Sequence, residues 1–228
     1  MDALEFDVRL SRDGAVVVFH DATTERTTGT AGTVAGRTLA ELRALDAGAT
    51  FSADGKHTFP YRGRGIGIPT LEEVLEAFPQ TPVLVEIKVA DAGAATRAVI
   101  ERCGAVGRTV VASFVPGALV PFAGSGIPTC ATPADLIPRC VPSLLGRRYR
   151  HLPFQAMSLP RFYRGIPVPL RALARAAEPA GVPLHVWTVN DGAVARRLWR
   201  AGVRGILADD PATILAARSA LPPALHAP

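Results

Sequence analysis

Two short stretches hold the residues best suited to chemistry. LEFDVRL (4–10) alternates Leu4, Phe6, Val8 and Leu10 with Glu5, Asp7 and Arg9, and VLVEIKV (83–89) alternates Val83, Val85, Ile87 and Val89 with Leu84, Glu86 and Lys88. In a strand, that period of two gives one apolar face and one charged face. Glu5 and Asp7 then stand about 6.5–7 Å apart along one face. On a surface strand such a face meets water. On a barrel strand it points to a polar mouth, where neighbouring carboxylates repel each other and call for a cation. Glu5, Asp7 and Glu86 together form an oxygen-rich set suited to a hard divalent ion, Mg²⁺ or Ca²⁺, rather than to a His/Cys zinc site.

Lys88 has two readings. It is a salt-bridge partner of Glu86 or Asp7, or a compact ammonium placed for a charged substrate, in a chain that otherwise uses arginine for 23 of its 25 basic residues. His20, next to Asp21 at the end of AVVVFHD, is the histidine beside an acid in this neighbourhood and the candidate for proton transfer.

The elements that must position these groups are also legible. Asp13-Gly14 between LEFDVRL and AVVVFHD predicts a β-hairpin. Thr38 with Glu41, and Thr70 with Glu73, read as capping boxes opening helices; in the second, Leu71, Val74, Leu75 and Phe78 form an i, i+3, i+4, i+7 stripe. Further on, strand-like runs at 83–89, 109–114, 128–132, 154–158, 184–189 and 205–209 alternate with helical stretches at 94–103, 168–178 and 191–201, the last capped by Asp191. With LEFDVRL this gives seven β/α strands, against eight in a (β/α)₈ barrel.

Composition narrows the field. The chain has 228 residues, 48% of them hydrophobic, enough for a sizeable core in a single domain over 1–228 with a hairpin and loop insertion at about 11–68. Cys103, Cys130 and Cys140 have no C-x-x-C spacing, so neither a disulfide framework nor a zinc site is indicated, and a reducing, cytoplasmic compartment is expected. The uncharged run 109–134 is broken by Pro116, Pro121, Pro128, Pro133 and several glycines, so it reads as buried strands and loop rather than a membrane span. Gly29, Gly32 and Gly36 do not follow a strand and open a helix, which argues against dinucleotide binding. The net charge of +5 concentrates around Arg147, Arg148, Arg150, Arg161 and Arg164, interleaved with Tyr149, Phe162 and Tyr163. A solvated face is the simple reading of that stretch, with no nucleic acid implied; an anionic substrate or peripheral contact with a phospholipid surface is the alternative.

LEFDVRLSRDG-AVVVFHD, RTTGTAG, TLAELRALDAG, IPTLEEVLEAF, LVEIK, VWTVN and GILADDP, in this order, resemble the motifs of glycerophosphodiester phosphodiesterases across nearly the whole chain. The resemblance implies a TIM barrel that hydrolyses glycerophosphodiesters to glycerol 3-phosphate and an alcohol. It implies metal-binding roles for Glu5, Asp7 and Glu86, an acid/base role for His20, a lysine near the phosphate at Lys88 and an aromatic against the glycerol moiety at Trp187. The family's opening His-Arg-Gly strand, which carries its other acid/base histidine, has no counterpart in this sequence. An N-terminally truncated barrel with little or no activity is therefore the expectation for the chain as it stands. A silent barrel that keeps metal or phosphate binding, and a phospholipase D-like lyase that closes a cyclic phosphate, are the alternatives. The alcohol released and the oligomeric state are not implied by the resemblance.

Overall fold

The computed structural model describes residues 2–220. It contains two compact units, Asp2–Ile127 and the segment from Pro128 onward.

In the first unit, β1 (Leu4–Leu10) and β2 (Val16–Val18) form the expected hairpin, with Val8 opposite Val18 and Leu10 opposite Val16. Gly14 turns the chain at φ +82°, a conformation that only glycine adopts at little cost. Ser11 Oγ donates to Asp13 Oδ1 at 2.6 Å and accepts from the Ala15 N–H at 2.8 Å, tying the turn. After the short helices α1 (Glu25–Thr28) and α2 (Leu39–Arg43) comes α3 (Leu71–Ala77). Both capping boxes form, Thr38 with Glu41 and Thr70 with Glu73. β3 (Val83–Ile87) pairs parallel with β1, and β4 (Thr109–Ala112) pairs parallel with β3, so the sheet order is β2-β1-β3-β4. Between them, α4 (Ala92–Arg102) matches the predicted helix to within two residues.

The alternation in the two motif strands does what its period requires. Val8, Val83, Val85 and Ile87 are buried with Leu71, Leu75 and Ile100 in one cluster, while Val17, Phe19, Val34, Leu42 and Ile68 form a second. Leu71 has no exposed surface. Leu71→Ala is expected to cost about 2–5 kcal/mol, read as a lower urea midpoint with an unchanged slope.

In the second unit, β5 (Met157–Pro160), β8 (Leu184–Trp187) and β9 (Gly205–Ile206) form a parallel sheet in the order β5-β8-β9. The expected strand at 128–132 is reduced to isolated bridging at 129–130, with Cys130 parallel to Ala156. Prolines at 128 and 133 bound it and offer no ladder donors. The expected strand at 154–158 is displaced: pairing with β8 begins at Met157. α6 (Leu170–Ala177), α7 (Gly192–Arg200) and α8 (Pro211–Ser219) pack with these strands around Leu159, Leu173, Leu184, Val186, Trp199 and Ile214. Asp191 caps α7 as predicted, accepting from the Ala193 and Val194 N–H groups at 2.7 and 2.9 Å.

Besides α8, two elements here go beyond the sequence reading. α5 (Pro133–Leu144) starts on a Thr132 capping box with Pro133 in its first turn and runs through Pro138 and Pro142. The two prolines are four residues apart, so both missing donors fall on one strip of the helix and the rest of the ladder stays intact. β6 (Phe162–Tyr163) and β7 (Ile166–Pro167) form a small hairpin, turned by Arg164 and Gly165 at φ +49° and +81°. Among the described residues no helix is long and apolar enough to cross a membrane.

Candidate active site

The parallel register of β1 and β3 sets Asp7 directly beside Glu86 and Glu5 beside Leu84. Since partners in register point to the same side, the carboxylates of both strands share one face. One carboxylate oxygen from each of Glu5, Asp7 and Glu86 lies within 4.8 Å of the others. Lys88, reached through the backbone bond from its own N–H to the Val8 carbonyl, places Nζ 2.9 Å from Asp7 Oδ1 and 2.5 Å from Glu86 Oε1. Its side chain is 17% exposed, as is that of Asp7, and that of Glu86 13%. Burial pulls the Lys88 ammonium toward its neutral form, but the hydrogen bonds to Glu86 and Asp7 outweigh it, and its pKa lies above that of an ordinary lysine. Both salt-bridge partners named as alternatives for Lys88 are engaged at once.

Three carboxylates and the Lys88 ammonium thus gather in one cluster. Oxygens bound to one Ca²⁺ or Mg²⁺ at about 2.0–2.6 Å are at most about 5 Å apart, so the spacing of these atoms fits a hard divalent cation. The donor set is all oxygen, as such a cation prefers.

His20 lies just past the hairpin. The Phe19 N–H donates to the Asp7 carbonyl at 2.9 Å, so His20 follows a residue bonded to the backbone of a cluster member. The imidazole is 60% exposed, with Nδ1 2.6 Å from Asp21 Oδ1. Asp21 in turn accepts from Arg26 Nε at 2.5 Å, and Arg9 Nε donates to the His20 carbonyl at 2.8 Å. Hydrogen bonds from Arg26 and then His20 hold Asp21 down from the usual 3.8 to about 2. Asp21, Arg26 and Arg9 have no role in the sequence reading beyond Asp21 being the acid beside His20. The signal available was a polar chain, Arg9, His20, Asp21 and Arg26, spread over a hairpin whose closure the Asp13-Gly14 turn announced.

Because Asp21 binds its proton more weakly when folded, its contribution to stability is complete above about pH 4 and is lost as pH falls through about 2. Comparing acid unfolding of the wild type with Asp21→Asn should show the wild type losing its advantage in that window. Parallel curves would mean the Asp21 interactions persist in the unfolded chain.

Trp187 ends β8 in the second unit. Beyond it, Asn190 and Asp209 clasp each other: Asn190 Nδ2 donates to Asp209 Oδ2 at 2.9 Å, and the Asp209 N–H donates to Asn190 Oδ1 at 2.8 Å. The VWTVN and GILADDP motifs are thus tied at the ends of neighbouring strands. Burial pulls the His185 imidazole toward its neutral form.

The sequence model of the glycerophosphoryl diester phosphodiesterase family matches residues 1–118 and 139–213. A glycerophosphodiester phosphodiesterase from Caldanaerobacter subterraneus subsp. tengcongensis is 31% identical, over 94% of this chain and 84% of the relative. Among solved structures, a glycerophosphodiester phosphodiesterase from Agrobacterium tumefaciens superposes with TM-score 0.70 at 26% identity, covering 94% of this chain and 87% of that one. A phosphodiesterase from Oleispira antarctica, solved with the product sn-glycerol-3-phosphate, gives TM-score 0.72 at 25% identity over 96% and 86%. Parallel strands with a charged cluster on one face, within this whole-chain likeness, define a TIM-barrel enzyme of the α/β class. The chain belongs to the glycerophosphoryl diester phosphodiesterase family.

Proposed function

We propose that the chain hydrolyses glycerophosphodiesters to glycerol 3-phosphate and an alcohol, with a divalent cation, Mg²⁺ or Ca²⁺, held by Glu5, Asp7 and Glu86. The observation that carries this is the convergence of those three carboxylates, with Lys88 bridging two of them, in a member of this family. The relative solved with sn-glycerol-3-phosphate supports the product.

The cation, when bound, supplies charge neutralisation and polarisation at the phosphoryl oxygens. Lys88 adds a fixed positive charge beside the same cluster, where negative charge grows as water attacks phosphorus. His20 is the general acid. With Nδ1–H directed at Asp21, Nε2 is the nitrogen left to carry the transferable proton, and it delivers that proton to the departing alcohol oxygen as the P–O bond breaks. Trp187 completes the reading as the aromatic for the glycerol moiety. Trp187→Ala is expected to raise KM several-fold with little change in kcat, the mark of lost uniform binding.

The test is turnover of a glycerophosphodiester with coupled detection of glycerol 3-phosphate, before and after EDTA and with Mg²⁺ or Ca²⁺ restored. Metal-dependent release of glycerol 3-phosphate is expected, against the little or no activity anticipated from the sequence, because the carboxylate cluster, Lys88 and the His20–Asp21 pair are assembled. A cyclic phosphate in its place, seen by ³¹P NMR, assigns the chain to lyase chemistry. Cation binding without turnover assigns it to a silent barrel.

A further inference from the structure

Helix α5 is turned inside out relative to an ordinary surface helix. Its inward side carries Leu136, Arg139 and Ser143, and both Arg139 Nε and Ser143 Oγ are buried there with no hydrogen-bond partner among the described residues. Its outward side carries Ile137, Val141 and Leu144 at i, i+4 and i+7, 62%, 63% and 63% exposed, and the stripe continues into Leu145 at 83%. Amphipathic surface helices place the apolar stripe against the core. A contiguous exposed patch of this kind marks a contact site.

The charge around the stripe says what kind of contact. From residue 133 to 150 the sole carboxylate is Asp135, and it is taken up by the Thr132 cap. Arg147, Arg148 and Arg150 follow directly on Leu145-Gly146 and are exposed. Arg148 pairs with Glu178 at 3.2 Å, leaving Arg147 and Arg150 to carry the local field. Beside the helix runs an open groove of about 320 Å³ lined by Pro138, Arg139, Pro142, Arg147 and Tyr149. Two guanidinium groups and a phenol thus border a greasy stripe, the arrangement of an interfacial helix whose aliphatic side enters the acyl boundary while its arginines meet headgroup phosphates.

We propose that α5 and the Arg147–Arg150 turn dock the protein on an anionic phospholipid surface. A second copy of the chain fits less well. Side by side, two such helices would bring their arginine turns together, and head to tail each turn would meet the positive end of the partner helix. Four aliphatic side chains also offer on the order of a few hundred Å², below the roughly 1,200 Å² of a stable interface. Of the stripe, Ile137 falls outside the family match, and Val141, Leu144, Leu145 and the arginine turn fall within it.

The experiment is co-sedimentation of the full chain with vesicles of phosphatidylcholine alone and of phosphatidylcholine with phosphatidylglycerol, at low salt and at about 0.15 M. Partition at least about tenfold stronger on the anionic vesicles is expected, weakening with salt. Leu144→Glu with Leu145→Glu, and separately Arg147→Glu with Arg150→Glu, should each lower it by about tenfold or more, leaving the circular dichroism spectrum and hydrolysis of a soluble glycerophosphodiester unchanged. No partition onto anionic vesicles at low salt overturns the proposal, as does partition that survives the leucine substitutions. A dimer in solution that those substitutions dissolve, with no vesicle binding, gives the stripe to a second copy and overturns it too.

Discussion

Glu86→Gln is expected to weaken Mg²⁺ or Ca²⁺ binding at least tenfold, about 1.4 kcal/mol, and to lower metal-dependent turnover by roughly 10²–10³-fold. Glu86 stands beside Asp7 in the β1–β3 register and is the shorter of the two contacts to Lys88. The amide keeps the shape but removes one of the three negative charges, so Lys88 then offsets half of those that remain. An isosteric change should leave the buried strand around it intact, since its neighbours Val85 and Ile87 face the other way into the core. Calorimetric titration of each cation, with turnover measured on the same samples, checks the expectation. Equal cation affinities in wild type and variant would take the carboxylate cluster out of the mechanism.

His20→Ala should lower turnover by about 10²–10⁴-fold, the range for one acid–base group, while leaving cation affinity near that of the wild type. The contrast with Glu86→Gln matters because His20 is reached through the Phe19 N–H bond to the Asp7 carbonyl and the Arg9 Nε bond to its own carbonyl rather than through the carboxylates themselves. Asp21→Asn tests the brace. It removes the charge that holds the His20 ring and that Arg26 grips, so a smaller loss of kcat than in His20→Ala is expected. Unchanged turnover in His20→Ala would leave the imidazole as an exposed side chain and nothing more.

Much of the local structure was legible in the residue order. The Asp13-Gly14 turn, the Thr38/Glu41 and Thr70/Glu73 capping boxes, the Asp191 cap and the alternation in LEFDVRL and LVEIK all act over a few residues, where turn geometry and orphan helix donors leave few alternatives. The same short range explains why Glu5 and Asp7, and Glu86 and Lys88, could be assigned to shared faces. Helix α5 was missed because two internal prolines outweigh a weak stripe when the chain is read locally; that both prolines lie on one strip becomes visible only once the helix exists.

Sequence by itself therefore determined which groups could share a face, and their chemical character. Tertiary structure decided which of them meet. A period of two says nothing about which strand lies alongside, and 72 residues separate LEFDVRL from VLVEIKV; the parallel register that sets Asp7 against Glu86 is selected by burying Val8, Val85 and Ile87 together against α3 and α4. The Arg26–Asp21–His20 brace likewise depends on the loop after β2 folding back, and the outward stripe of α5 on which of its sides the second core leaves uncovered. Those are outcomes of packing, decided by non-local apolar burial that no spacing rule encodes.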